Sequence, residues 1–197
     1  MSNIEFLKLL SNYNGISGFE YTLKEKVISY FEKYADEVTV DKLGNITALK
    51  KGNASGEKVN IMLAAHMDEI GLMVKYIEDN GFLRFTSVGG IDPRTILAQE
   101  VIVHGKDNLF GVIGAKPPHL QGTEEQDKAI KMKDMTIDIG LPYEKVKELV
   151  KIGDSITIKR DIIELKNNRV SGKALDDRAG VVALSSRPFP DTLLFFS

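Results

Sequence analysis

The chain has 197 residues, 43% of them apolar and 27% charged, with no cysteine and no tryptophan. That length can bury a real core in one domain or two small ones, and the lack of cysteine excludes disulfides, thiolate zinc sites, Fe–S clusters and a cysteine nucleophile. Lys and Arg number 26 against 28 Asp and Glu, a formal net charge of -2, so no basic field draws the chain to nucleic acid or anionic lipid.

From the N-terminus, apolar residues at helical spacing predict helices over residues 4–10 and 21–34, the second marked by Leu23, Val27, Tyr30, Phe31 and Tyr34. The turn Gly15-Ile16-Ser17-Gly18 joins them. Short β-branched runs then predict strands over 37–41, 45–50 and 59–65; the last is apolar enough to read as a buried central strand. Its longest unbroken apolar stretch, 61–65, is far short of the ~20 residues of a membrane helix. The start of the chain, Met-Ser-Asn-Ile-Glu-Phe-Leu-Lys, carries no secretory leader pattern.

Between residues 71 and 165 the texture is short strands punctuated by glycine: 71–78, 82–88, 100–104, 109–113, 135–139 and 155–159. This predicts a small β-barrel or sandwich with one helix, 142–150, whose proline suits a first helical turn. Residues 121–133 are polar and read as a mobile surface loop. Residues 173–184 return to a loop and a helix start. The fold class expected is α/β: a helix-and-sheet domain interrupted by an inserted small β-barrel and resumed near residue 166. The expected division is 1–71 and 166–184 for the helix-and-sheet domain, 72–165 for the insert, and 185–197 for an atypical tail.

Two stretches carry chemistry. In Ala65-His66-Met67-Asp68-Glu69-Ile70-Gly71 a histidine sits where a strand ends, the place where ligands gather in open α/β sheets. In extended backbone residues two apart face the same way, so Asp68 can orient the His66 ring as carboxylates orient metal-binding histidines. The alternative is a histidine hydrogen-bonded for structure alone. In Lys173-Ala174-Leu175-Asp176-Asp177-Arg178-Ala179-Gly180 two carboxylates enter a helix. They are either an N-cap and a charge at the positive end of the helix dipole, or a carboxylate able to bridge two cations. Arg178 is expected to balance the second carboxylate.

Together with Gly15-Ile16-Ser17-Gly18-Phe19-Glu20, Asp41-Lys42-Leu43-Gly44-Asn45, Ala115-Lys116-Pro117-Pro118-His119 and Asp138-Ile139-Gly140, these motifs resemble the co-catalytic metallo-aminopeptidases of tetrahedral, twelve-subunit type. That family is labelled glutamyl aminopeptidase or, in older naming, endoglucanase. The resemblance implies that the α/β domain is a doubly wound catalytic domain, incomplete in this chain, and that it holds two divalent metal ions (Zn, Co or Mn), with His66 binding one and Asp68 orienting the His66 ring. Asp176 would bridge both ions, since it aligns with the single bridging aspartate of related peptidases; Asp177 and His119 are lesser candidates. It also implies a cis Asp176–Asp177 peptide, hydrolysis of N-terminal residues from short peptides, a homo-oligomer built through the inserted domain, and a cytoplasmic location. No nucleic-acid or membrane partner is expected.

Family members are about twice as long, and the glutamate pair holding their general base follows the Asp-Asp motif by some thirty residues. No such glutamate is present in this chain. Glu124-Glu125 stands in the polar loop, before Asp176, and His104 reads as structural. The alternative function is therefore a catalytically inactive truncated fragment that keeps the oligomerisation domain. Polysaccharide hydrolysis would need aromatic sugar platforms, against the absence of tryptophan. The expected helix after Arg178 meets Pro188 and Pro190 and then Leu193-Leu194-Phe195-Phe196, an apolar end with nothing to pack against. It reads as the mark of a frameshift or premature stop near residue 185.

Overall fold

A computed structural model describes residues 2–52, 61–117 and 129–185, and the backbone alone of 192–196. Two compact units divide it: residues 1–69 with 161–197, and residues 70–160.

In the first unit, helix α1 (Asn3–Asn12) begins at Ser2, whose side chain and that of Glu5 form a reciprocal capping box. Helix α2 (Tyr21–Phe31) buries Leu23, Val27 and Phe31, residues spaced by four. It stops three residues short of the expected 34, because the chain turns there and Tyr34 is left exposed. Strands β1 (Glu37–Val40) and β2 (Ile46–Lys50) form a hairpin around Asp41, whose carboxylate accepts from the backbone of Leu43 and Asn45. Strand β3 (Ile61–Ala65) follows. The core joins Phe6 and Leu10 of α1, the buried face of α2, Ile46 and Ala48 of β2, and Ala65, Met67, Val181 and Val182.

The second unit is a closed six-stranded antiparallel barrel. Strands β4 (Gly71–Ile77), β5 (Leu83–Val88), β6 (Glu100–His104), β7 (Asn108–Ala115), β8 (Met135–Asp138) and β9 (Ser155–Ile158) close in the order β4-β5-β8-β7-β6-β9. Closure leaves no sheet edge open. Alternate residues, among them Leu72, Val74, Leu83, Phe85, Val101, Val103, Ile113, Ile137 and Ile156, fill its interior. A short helix, α3 (Pro93–Ile96), capped by Asp92, was not expected from sequence. In α4 (Tyr143–Leu149) Pro142 caps the helix rather than opening its first turn. His104 is bonded at both ring nitrogens, to Asn108 and Thr157, at 2.7 and 2.9 Å, which suits a structural residue.

After the barrel the chain re-enters the first unit through a hairpin of β10 (Ile163–Leu165) and β11 (Arg169–Ser171), also unexpected. Helix α5 (Leu175–Ser185) and strand β12 (Thr192–Phe196) complete the unit.

Three sequence expectations are corrected. The strand expected to be central and buried, β3, lies at the end of the four-stranded sheet β1-β2-β12-β3, with Ile61 and Met62 45% and 59% exposed. Apolar content shows that a strand can be covered, not that these residues cover it. The segment expected to pack against nothing is paired along its backbone: β12 runs antiparallel to β2 and parallel to β3. A Leu-Leu-Phe-Phe run has high strand propensity and finds a slot of one strand's width between them. The polar stretch read as a loop to residue 133 is ordered at its described end. A 3-10 turn spans Met132–Asp134, and Arg84 donates to the carbonyls of Lys133 and Met135. Residues 121–128 of the stretch, Glu124-Glu125 among them, and His119 before it lie outside the described residues.

Candidate metal centre

Past the end of β3 the chain keeps the two-residue alternation of a strand. Ala65, Met67 and Glu69 are buried, while His66 and Asp68 face the other way. The His66 side chain is 45% exposed, and its Nδ1 lies 3.0 Å from Asp68 Oδ1. The other oxygen of Asp68, Oδ2, accepts a hydrogen bond from the Ser17 hydroxyl. On the far side of the ring, Nε2 lies 3.2 Å from Asp176 Oδ1. The imidazole is thus flanked by two carboxylates brought from positions 2 and 110 residues away along the chain.

The two adjacent aspartates divide their work. The Asp176–Asp177 peptide is cis, and both residues lie outside helical backbone angles. Asp176 projects its carboxylate outward, 97% exposed, toward His66. Asp177 turns back to accept the backbone N–H of Gly180 at 3.1 Å, the bond of a helix N-cap to its third residue. Glycine at 180 is what makes room for it, since a Cβ there would lie 2.6 Å from Asp177 Oδ2. Asp177→Ala is therefore expected to lower unfolding stability by about 1 kcal/mol with metal uptake unchanged. Asp176→Ala is expected to leave stability unchanged and lose the uptake; urea unfolding and calorimetry of both variants check the pair of outcomes.

Contrary to the expectation from sequence, Arg178 does not balance the second carboxylate. Its guanidinium is fully buried and donates to the carbonyls of Met67 (2.8 Å), Leu10 (2.8 Å), Tyr13 (2.5 Å) and Gly15 (3.3 Å). The first unit thereby ties the end of α1, the following turn and the strand carrying His66 to one cation. Glu69, whose side chain is 3% exposed, stands 3.7 Å from Arg178 and accepts two bonds from Lys173 Nζ at 2.8 and 2.9 Å. Burial pushes Lys173 below the ordinary lysine range and Arg178 below the ordinary arginine range, with Glu69 opposing both shifts. Sequence reasoning passed over Glu69. Its signal was present, because it shares the buried phase of Ala65 and Met67, and a buried carboxylate requires a cationic partner.

His66 Nε2 and Asp176 Oδ1 suit a divalent cation in chemical type, since imidazole nitrogen and carboxylate oxygen are ordinary ligands of Zn, Co and Mn. They do not suffice in number. A catalytic zinc takes three protein ligands, two-metal sites take more, and among the described residues no group of three or more His, Asp or Glu side chains could hold an ion.

The profile of the M42 glutamyl aminopeptidase family matches residues 44–187. The lysyl aminopeptidase of Pyrococcus furiosus is 34% identical over 189 residues, covering 93% of this chain and 54% of that protein. Among solved structures, the TET aminopeptidase of a marine sediment thaumarchaeon superposes with a TM-score of 0.90 at 35% identity, covering 98% of this chain and 57% of that one. The TET1 peptidase of Pyrococcus horikoshii, described as assembling into a tetrahedron or an octahedral shell, gives 0.84 at 40% identity, covering 99% and 60%. The chain spans about half the length of the curated relatives it matches. With the profile matched over most of its residues and the α/β unit and barrel superposing on these peptidases, the chain belongs to the M42 glutamyl aminopeptidase family.

Proposed function

We propose that these residues form part of a metal-dependent aminopeptidase that removes N-terminal residues from short peptides. The observation that carries this reading is the His66 ring, held by Asp68 at Nδ1 and facing Asp176 at Nε2. His66 and Asp176 would be donors to a centre of two divalent ions, Zn, Co or Mn, with Asp176 bridging them. Such a centre, when bound, polarises a scissile carbonyl and lowers the pKa of a bound water.

The chain's own residues act around that centre. Asp68 holds a proton at Nδ1 and so keeps the Nε2 lone pair available. Asp176 brings negative charge to the same point, and Asp177 caps the helix that follows. No residue of the chain is assigned as general base. The near-neutral charge supports a small peptide rather than nucleic acid as substrate. No helix among the described residues is long and apolar enough to cross a membrane, and a cysteine-free chain suits a cytoplasmic setting. Homo-oligomerisation rests on the assemblies named for the TET peptidases, and the barrel is the part of this chain that we take to carry it.

The test is a fusion of residues 1–184 to the C-terminal half of the Pyrococcus furiosus lysyl aminopeptidase, assayed on lysyl-p-nitroanilide with added Zn, Co or Mn. Hydrolysis that falls to background in the His66→Ala and Asp176→Ala forms is expected. A folded fusion that hydrolyses as well without His66 contradicts the reading.

A second reading for the polypeptide by itself, a fragment without turnover that keeps the barrel, is compatible with the lack of a three-donor group among the described residues.

A further inference from the structure

We propose that Ser17 is a positioning residue that selects the tautomer of His66. The inference rests on the metal-centre reading above and deepens it. The His66 ring has a carboxylate at each nitrogen, Asp68 Oδ1 at Nδ1 and Asp176 Oδ1 at Nε2, at 3.0 and 3.2 Å. A neutral imidazole carries one ring proton, and a metal can bind only the nitrogen without it. If Asp176 takes the proton, Nε2 becomes a donor and is closed to metal. If Asp68 takes it, Nε2 is open.

The two carboxylates differ in how they are held. Asp176 is 97% exposed and well solvated. Asp68 is 32% exposed, and its second oxygen accepts from the Ser17 hydroxyl. A carboxylate fixed in place and partly withdrawn from water is the better preorganised acceptor, because it loses less freedom and less hydration on taking the ring N–H. Ser17 is itself held firmly. Its neighbour Ile16 is fully buried and bridges to Glu69, Gly15 donates its N–H to the Glu69 carboxylate and accepts the Glu69 backbone N–H, and Gly18 takes a positive φ of 87° to close the turn. The buried Glu69–Lys173–Arg178 cluster thus anchors the turn, the turn presents Ser17, Ser17 fixes Asp68, and Asp68 holds the proton at Nδ1.

The test is the ring-proton distribution of His66 by long-range 1H–15N NMR of histidine-labelled chain, above the pH of histidine titration. His66→Gln identifies its signals among the three histidines. The Nδ1–H form is expected to dominate in the unaltered chain and in Ser17→Thr, which keeps the hydroxyl. In Ser17→Ala the Nε2–H form is expected to rise several-fold and Zn affinity to fall about tenfold, the lower end of the cost of removing an outer partner of a metal-binding histidine. Ser17 is exposed, so the alanine form retains its fold, as circular dichroism checks. An unchanged ring-proton ratio in Ser17→Ala, or a dominant Nε2–H form in the unaltered chain, overturns the proposal. Zn uptake that depends on His66 but not on Ser17 removes the role of Ser17 and leaves the metal centre standing. Redistribution of the ring proton in Ser17→Ala with no Zn uptake at His66 does the reverse.

Discussion

Arg178→Met is expected to destabilise the first unit by about 3–5 kcal/mol, the cost of removing one partner from a buried ion cluster. The guanidinium satisfies carbonyls of Leu10, Tyr13, Gly15 and Met67 where water does not reach. Methionine fills similar volume but leaves those acceptors unpaired, and leaves Lys173 as the remaining cation on Glu69. Arg178→Lys is expected to recover little, since an ammonium is a point donor and cannot span carbonyls on α1, the turn and the strand at once. Urea unfolding with linear extrapolation measures both variants. A loss below about 1 kcal/mol for Arg178→Met, the size of a single ordinary hydrogen bond, would show that the cation is not the fastening described.

The sequence made some of this legible and left other parts hidden, for physical reasons. The alternation from Ala65 to Asp68 was enough to place His66 and Asp68 on one face, because a strand has a fixed two-residue period. The same alternation, followed one residue further, would have placed Glu69 inside. What it could not give was the partner, since Arg178 and Lys173 lie more than 100 residues away. Arg178 was misassigned to Asp177 because adjacency in sequence suggests pairing. In the fold, the turn at Asp176 and Asp177 sends the arginine inward and one carboxylate outward. The barrel was legible from short strands and glycines, whereas α3 and the β10–β11 hairpin, of three or four residues each, are too short for a periodic signal. The position of β3 failed for another reason: whether an apolar strand is central depends on what lies beside it.

A polypeptide of these 197 residues is expected to show no turnover of aminoacyl-p-nitroanilides with Zn, Co or Mn at any concentration that leaves it soluble. Among the described residues the centre has one imidazole and one carboxylate, too few to hold two ions against water, and none of them is assigned to take the proton from an attacking water. Measurable turnover that is lost in His66→Ala would mean that residues outside the described ones complete the site.

We take His66 and Asp176 to be two donors of one metal centre, too few among the described residues to bind an ion tightly. Calorimetric titration of the 197-residue chain with Zn, run beside His66→Ala and Asp176→Ala, decides this. Weak uptake of a single ion that either substitution abolishes is expected. Tight uptake of two ions by the unaltered chain, or equal uptake by His66→Ala, would contradict it.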